Sequence, residues 1–417
     1  MPILQWVQLN GGVLQIINST HKYIDWNMQI ALVCNKVFGT DGISMFILNN
    51  HRYFSDKRNR YHLVYPRTRG DEKVIAAYLR EFEHQENTTA HVSKDSGMIR
   101  FAISFLRYMN KNHIDILHVH GSSSAIVLEA LLAKWGGVKV VVAHSHNTRG
   151  NHPLVHRLLR PLLNVTTDVR LACGRMAGEW MYGKNRTFRV IPNGIETNKY
   201  RYSTKTREIV RKELGITDDA VVIGHVGSFS EVKNQRFLIE LIKGYAEDNN
   251  VRVKLLLIGD GILRQELEAE CRHHQTSDMV VFAGVRKDVN RLMMAMDVFC
   301  LPSLYEGFPI VAVEAQASGL PVIMSSNISN EVCITDLVHS LPINKGIAEW
   351  KQTINVITSR NGLRAAYADE VRNAGYDIRH SAIMLESIYD KSFNGKHRAD
   401  DLRRHRYDDS QLCNESG

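Results

Sequence analysis

Between residues 220 and 324 short apolar runs alternate with amphipathic stretches. Segments 220–226, 253–258, 279–283, 298–301 and 320–324 read as strands, and 234–247, 261–274, 287–296 and 309–318 read as helices between them. Parallel neighbours need a crossover connection, usually a helix, so this alternation predicts a doubly wound parallel sheet. The first half repeats the theme less regularly. Met28 to Asn35, Tyr61 to Tyr65, Asp115 to Gly121, Val138 to Ala143, Asp168 to Cys173 and Phe188 to Ile191 read as strands, with helices over 71–86 and 96–111. At 417 residues the chain exceeds the usual size of one core. We therefore expect two Rossmann-like domains facing across a cleft, 28–200 and 201–375, with a hinge near Tyr200. Residues 1–27 read as a leader without signal-peptide architecture, and Met28 is the expected natural start unless the leader packs only peripherally.

Most of the chemistry is concentrated in 297–319. Val298 to Leu301 is a buried-strand run, Pro302 and Ser303 end it, and Pro309 suits a first helical turn. The loop Glu306-Gly307-Phe308 would offer backbone N–H groups, beside a helix N-terminus, to an anion such as a diphosphate. Glu306 and Glu314 lie eight positions apart, about two turns, on a similar helix face. Carboxylates cannot hold phosphate, but they can hold hydroxyl groups on either side of one, as in a ribose and a transferred sugar. Taken alone, the pair reads more readily as one capping and one surface glutamate of a buried helix.

The segment resembles the Glu-x7-Glu signature of the retaining glycosyltransferases of family 4, in the form Pro302-Ser-x-x-Glu-Gly-Phe-Pro309. The resemblance extends to Val190 to Ile195, His225 to Asn234, Leu257 to Gly261 and Val281 to Arg286, in the family's order. Within the family the chain is most similar to enzymes of bacterial capsule, exopolysaccharide and O-antigen assembly. The resemblance implies a GT-B fold, α/β, whose last helix (376–393) crosses back to the first domain. It implies transfer of a sugar, with retention, from a nucleotide-sugar donor, expected to be a UDP-sugar, to a glycan or polyprenyl-diphosphate-linked acceptor. By the same resemblance Glu306 takes the donor-sugar hydroxyls and Glu314 the ribose hydroxyls. Gly307, Phe308, Pro309 and Ile310 cradle the diphosphate, Gly284 to Arg286 meets the base, and His120 contacts the donor sugar. Lys233, just after Val226-Gly227-Ser228, neutralises the departing diphosphate. The family usually has arginine at Ser228, which leaves Arg236 or Arg286 as the candidate replacements. It usually has Gly-Gly in the loop Gly39-Thr-Asp41-Gly42, where a plain strand-to-helix turn is the competing reading.

Composition narrows the partners. The formal charge of +8 fits a phosphorylated substrate, an anionic membrane or nucleic acid, and chooses none. The six cysteines, at 34, 173, 271, 300, 333 and 413, form no Cys-x-x-Cys pair, which argues for reduced thiols in a cytoplasmic protein and against zinc. His118-Val-His120 and His144-Ser-His146 invite a metal, but hydrogen-bonded strand ends are preferred. No Asp-x-Asp occurs, so no metal or other cofactor is expected. The stretch 152–163 is basic on one side and leucine-rich on the other. It reads as a membrane-surface helix or as an ordinary domain helix broken by Pro161, and a peripheral membrane location follows from the first. The tail 394–417 is charged and expected to be disordered, and without an aromatic platform it is not expected to bind nucleic acid. The rivals are a sugar-nucleotide epimerase of the same architecture, a Rossmann dehydrogenase, for which Gly-x-Gly-x-x-Gly is missing, and a non-catalytic scaffold.

Overall fold

The computed structural model describes residues 27–412, apart from 40, 69–71, 85, 96, 151, 249–251 and 359–363. The expectations for the leader therefore fall almost wholly outside the described residues. Two parallel sheets organise the chain. The first contains β1 (Gln29–Cys34), β2 (Arg60–Tyr65), β3 (Thr88–His91), β4 (Ile116–Gly121), β5 (Val140–Ser145), β6 (Val169–Ala172) and β7 (Arg189–Val190), in the order β3-β2-β1-β4-β5-β6-β7. The second contains β8 (Val221–Val226), β9 (Val253–Ile258), β10 (Val280–Gly284), β11 (Val298–Leu301), β12 (Val322–Ser325) and β13 (Val338–Leu341), in the order β10-β9-β8-β11-β12-β13. Each order reverses once, between β1 and β4 and between β8 and β11. Open α/β sheets bind ligands at such reversals, beyond the strands' carboxyl ends.

The central strands are buried on both faces, as continuous Val, Ile and Leu runs require. Ile30, Leu63, Val142 and Leu171 pack on one face of the first sheet, and Leu117, Val119 and Phe105 on the other. Asp297 fixes the start of β11. Its carboxylate accepts from Val222 N on β8 at 2.7 Å and from Arg211 and Arg207 at 2.6 and 2.5 Å. Arg211 is 2% exposed, a buried charge tolerated because Asp297 and several carbonyls meet its guanidinium.

The chain passes between the domains twice. After Ile191 it runs through the short helix Thr197–Tyr200 into the second domain. It returns through the helix Ile378–Leu412, whose Ala382, Leu385, Ile388, Tyr389 and Phe393 join the core of the first sheet.

Two local expectations give way. The tail expected to be disordered from 394 continues as helix to Leu412. Its sequence holds no proline to stop propagation of the helix. Pro161 does not break its helix, which runs Pro153–Thr166. Proline removes one N–H and crowds the preceding turn; here the residue lies on the exposed side, where water can meet the freed carbonyl.

Candidate active site

Lys233 and Glu306 arise from the two strands that flank the reversal of the second sheet. Lys233 follows β8, at the end of the tight turn Glu231–Lys233, and Glu306 follows β11. The two loops are fastened together. Leu304 N donates to Val232 O at 2.8 Å, and Asn234 Nδ2 donates to Pro302 O at 3.2 Å from a residue held in the left-handed region, φ 55°. The result is an ion pair: Lys233 Nζ donates to Glu306 Oε1, which also accepts from Ser303 Oγ at 2.9 Å. Both side chains stay partly open to the cleft, at 20% and 14% exposure. Gly227 lies beneath the lysine. A Cβ there would stand 3.4 Å from Lys233 Cε and 3.3 Å from His225 Nε2, so only glycine fits comfortably. His225 donates through Nδ1 to Cys300 O at 2.9 Å, leaving Nε2 to accept from Gln235 at 3.2 Å. Burial holds this imidazole neutral, lowered to about 4.

From Gly307 and Phe308 the chain turns through Pro309 into the helix Ile310–Ala317. Glu314, on that helix, accepts from Tyr200 Oη at 2.6 Å. Desolvation raises its carboxyl above the ordinary range, and the tyrosine bond works against that rise. Glu314 lines a cavity of about 240 Å³ between the domains, with Ile310, Tyr200, Lys287 and Asn290 from the second domain and Met45, Asn49 and Asn193 from the first. Gly307 meets the first domain directly, since a Cβ there would stand 2.6 Å from Asn147 Oδ1. Phe308 packs on Ala172, Cys173 and Ala177, and stacks on Tyr376 at 5.9 Å.

Other sequence candidates fall elsewhere. Arg286 is taken by a two-toothed ion pair with Asp288, 2.8 and 2.7 Å, and Arg236 by Glu266 and Glu270. Neither is a ready substitute for the arginine that Ser228 replaces, and Ser228 itself is exposed. Gly42 opens the helix Gly42–Arg52, whose N-terminus is already filled. Asp41 accepts from Ile43 N and Ser44 N at 3.0 and 3.4 Å and from Ser44 Oγ at 2.6 Å. The departure at Asp41 thus has a structural reason: it caps the helix that a Gly-Gly loop would leave open.

His120 ends β4, buried in a stack of four imidazoles. Its Nδ1 pairs with His146 Nε2 at 3.0 Å; His118 pairs with Tyr389 Oη at 2.6 Å and with His144 Nδ1 at 3.3 Å. Ring nitrogens of His118, His120 and His144 lie within 4.8 Å of one another, closer company than the two His-x-His pairs alone suggested. Burial pushes every ring of the stack far below its usual value, His118 and His146 to about 3. Much of their bonding capacity is spent on each other and on Tyr389, while His120 Nε2 and His144 Nε2 have no partner.

One feature lay beyond the sequence reading. A cavity of about 690 Å³ opens at the carboxyl ends of β1 and β2, lined by Asn35, Lys36, Arg67, Lys94 and Glu129 among others. Glu129, 2% exposed, accepts from Asn35 and Lys94, both at 2.6 Å. Its signal was a lone acid in the apolar run Val127-Leu-Glu-Ala-Leu-Leu-Ala133. Among the described residues no helix is long and apolar enough to cross a membrane.

The chain is similar to known proteins both in sequence and in fold. EpsF of Bacillus subtilis (strain 168), assigned by name to the glycosyltransferases, is 34% identical over 280 residues, 64% of this chain and 73% of its own length. The Escherichia coli UDP-Gal:alpha-D-GlcNAc-diphosphoundecaprenol alpha-1,3-galactosyltransferase is 30% identical over 249 residues, 56% of this chain and 62% of its own. In fold, the Anabaena protein Alr3699/HepE, solved with UDP, superposes with a TM-score of 0.71 at 19% identity, over 87% of this chain and 99% of that one. Residues 40–199 match the family described as Glycosyltransferase Family 4, and 206–374 match Glycosyl transferases group 1. With a GT-B fold, the paired Lys233 and Glu306 at its switch point and both halves matched, the chain belongs to the group 1 glycosyltransferases of family 4.

Proposed function

We propose that this glycosyltransferase moves a sugar from a UDP-sugar to a glycan or polyprenyl-diphosphate-linked acceptor of a bacterial surface polysaccharide, retaining configuration at the transferred carbon. The observation that carries the reading is the Lys233–Glu306 pair at the reversal between β8 and β11. An ammonium with three donors can keep Glu306 and still meet a phosphate oxygen, so the charge that develops on the departing diphosphate finds a cation already in place. The N–H groups of Gly307, Phe308 and Ile310 and the dipole of the helix Ile310–Ala317 add to it; Pro309 offers no N–H and fixes the turn. Glu306 receives donor-sugar hydroxyls and Glu314 the ribose, with His120 on the sugar from the first domain. In the transfer the bond from the anomeric carbon to the diphosphate oxygen breaks while the acceptor oxygen bonds on the same face. The acceptor's proton passes to the departing phosphate. No metal is assigned a part, because lysine and helix supply the positive field.

UDP is favoured by the ligand named for the Anabaena protein, and a lipid-linked acceptor by the reaction named for the Escherichia coli relative. A membrane surface is the proposed setting. On the helix Pro153–Thr166 the leucine side faces outward, with Leu154, Leu158 and Val165 exposed by 72%, 80% and 79%, beside Arg157. An apolar strip beside a cation suits the headgroup boundary of an anionic bilayer. A thermal-shift panel with UDP, GDP, ADP and NAD tests the donor. UDP at a hundredfold over its dissociation constant should add about 2.7 kcal/mol, and Lys233→Ala should abolish the shift; a shift with NAD alone would overturn the reading.

A further inference from the structure

The helix Arg175–Tyr182 of the first domain begins without a cap of its own. Its N-cap residue is Gly174, with extended backbone and no side chain to offer the first free N–H groups. Those groups are met from the other domain: Glu331 accepts from Arg175 N at 2.6 Å and from Met176 N at 2.8 Å. The partial positive charge of a helix N-terminus favours such a carboxylate. Gly174 makes the approach feasible, since a Cβ there would stand 2.5 Å from Glu331 Oε2. The Arg175 guanidinium takes no part, being engaged by Glu179 at 3.0 Å.

Glu331 is held on its own side as well. It sits in the tight turn Asn330–Val332 between β12 and β13, where its N–H donates to Ser329 Oγ at 3.2 Å. Gln316, on the helix that carries Glu314, donates to Val332 O at 2.9 Å and accepts from Thr335 N at 2.9 Å. The turn is thus tied to the element that leads out of the Glu306 loop. Phe308 of that loop enters the first domain at the same place: Gly174's Cβ position lies 3.9 Å from its ring. One anionic and one aromatic side chain of the second domain therefore engage the start of a single helix of the first.

We propose that Glu331 is an interdomain latch, a positioning residue that holds the cleft closed by capping the helix Arg175–Tyr182 and so brings the Glu306–Phe308 loop against the first domain. The bond is polar and partly open to water, so it can be made and released in each catalytic cycle, as hinge closure requires. Glu331 touches neither donor nor acceptor in this role. Its effect passes through the domain arrangement, and it rests on the transferase reading only for its kinetic consequence.

Three variants of the full chain test it: Glu331→Ala, Glu331→Gln, which keeps an acceptor oxygen without the charge, and Gly174→Ala, which pushes the carboxylate away from the opposite domain. Small-angle scattering of the protein alone should show a larger radius of gyration for Glu331→Ala and Gly174→Ala than for wild type, with Glu331→Gln between. The double variant Gly174→Ala with Glu331→Ala should add nothing to either single change. In turnover, kcat should fall roughly tenfold in the alanine variants, the scale of a lost charge-assisted contact, while UDP affinity by thermal shift stays within about twofold, because the proposed nucleotide-binding groups lie in the second domain. Identical scattering of all four proteins, or a wild type already open in solution, would overturn the latch. A kcat unchanged in both alanine variants of an active enzyme would do the same. If wild type transfers no sugar from any donor, the transferase reading fails, and scattering still decides the latch.

Discussion

The two domains share a topology and differ in how they treat charge. Around the reversal of the second sheet, Lys233 and Glu306 form an ion pair that stays partly wet. Around the reversal of the first, His118, His120 and His144 are dry, neutral and turned on one another. His51 and His62 extend this pattern, each buried and lowered to about 4, whereas His225 is the corresponding buried ring of the second domain. One reversal carries an ion pair; the other carries a wall of uncharged rings, beside a cavity of about 690 Å³ whose charged lining includes Lys36, Arg67, Lys94 and Glu129. The difference teaches that one topology can set a half-open ion pair at one switch point and a dry imidazole stack at the other.

The largest effect expected from this contrast is acid lability concentrated in the first domain. A histidine whose folded value is depressed binds no proton in the native state, while the unfolded chain takes one up below about 6.5. Stability is therefore unaffected above pH 6.5 and falls from there down toward pH 4, by about 1.4 kcal/mol per pH unit for each such ring. His51, His62, His118, His120 and His144 are all depressed by burial, so their losses act in the same direction on the first domain as the pH falls toward 5. Thermal unfolding followed across pH 7 to 5 should split into two transitions, the first-domain one moving down far more. A single transition moving as a unit would erase the comparison.

Next in size is the charge at the second switch point. Lys233→Ala should lower kcat by roughly 10²- to 10³-fold, as loss of one preorganised donor to a developing anion does elsewhere, while the circular-dichroism spectrum stays unchanged. Turnover within threefold of wild type would remove the lysine from the mechanism. Smaller again is the cap in the first domain. Asp41→Ala should cost about 1 kcal/mol in urea unfolding and leave turnover within about twofold, because Asp41 serves the helix Gly42–Arg52. A loss of turnover as large as that of Lys233→Ala would move Asp41 into the site. Last, Arg157→Glu with Arg160→Glu should release the protein from anionic vesicles, at about 1 kcal/mol for each cation lost, without altering stability measurably; unchanged sedimentation would sink the membrane setting.

These contrasts also explain what could be read before any coordinates. The second domain's site was legible because its parts are contiguous: a strand, a loop and a helix inside 297–319, and Lys233 a few residues beyond β8. Regular alternation likewise revealed most strands of both sheets. β3 escaped because Thr88–His91 is a four-residue edge strand with neither face fully buried. The histidine stack escaped in part, since strand alternation could align His118 with His120 but could not tell that β5 lies beside β4 with His144 opposite His120. Glu129 and Glu331 act across 94 and 156 residues, on Asn35 and Arg175, and no local pattern carries such pairings. The engagement of Arg286 and Arg236 by neighbouring acids was equally a matter of rotamers that one sequence does not display.

The returning helix has a consequence for the order of synthesis. Ala382, Leu385, Ile388, Tyr389 and Phe393 complete the core beneath β1, the first strand described. A chain emerging from the ribosome amino end first must therefore keep that apolar face waiting until everything between β1 and Ala382 has been made. The second domain closes within its own stretch of chain, its core reaching from Ile195 to Val371. A nascent chain stopped at the hinge before Ile378 would expose a sheet face without its cover, which makes synthesis of the returning helix, rather than the end of the first domain, the moment at which this enzyme becomes safe from aggregation.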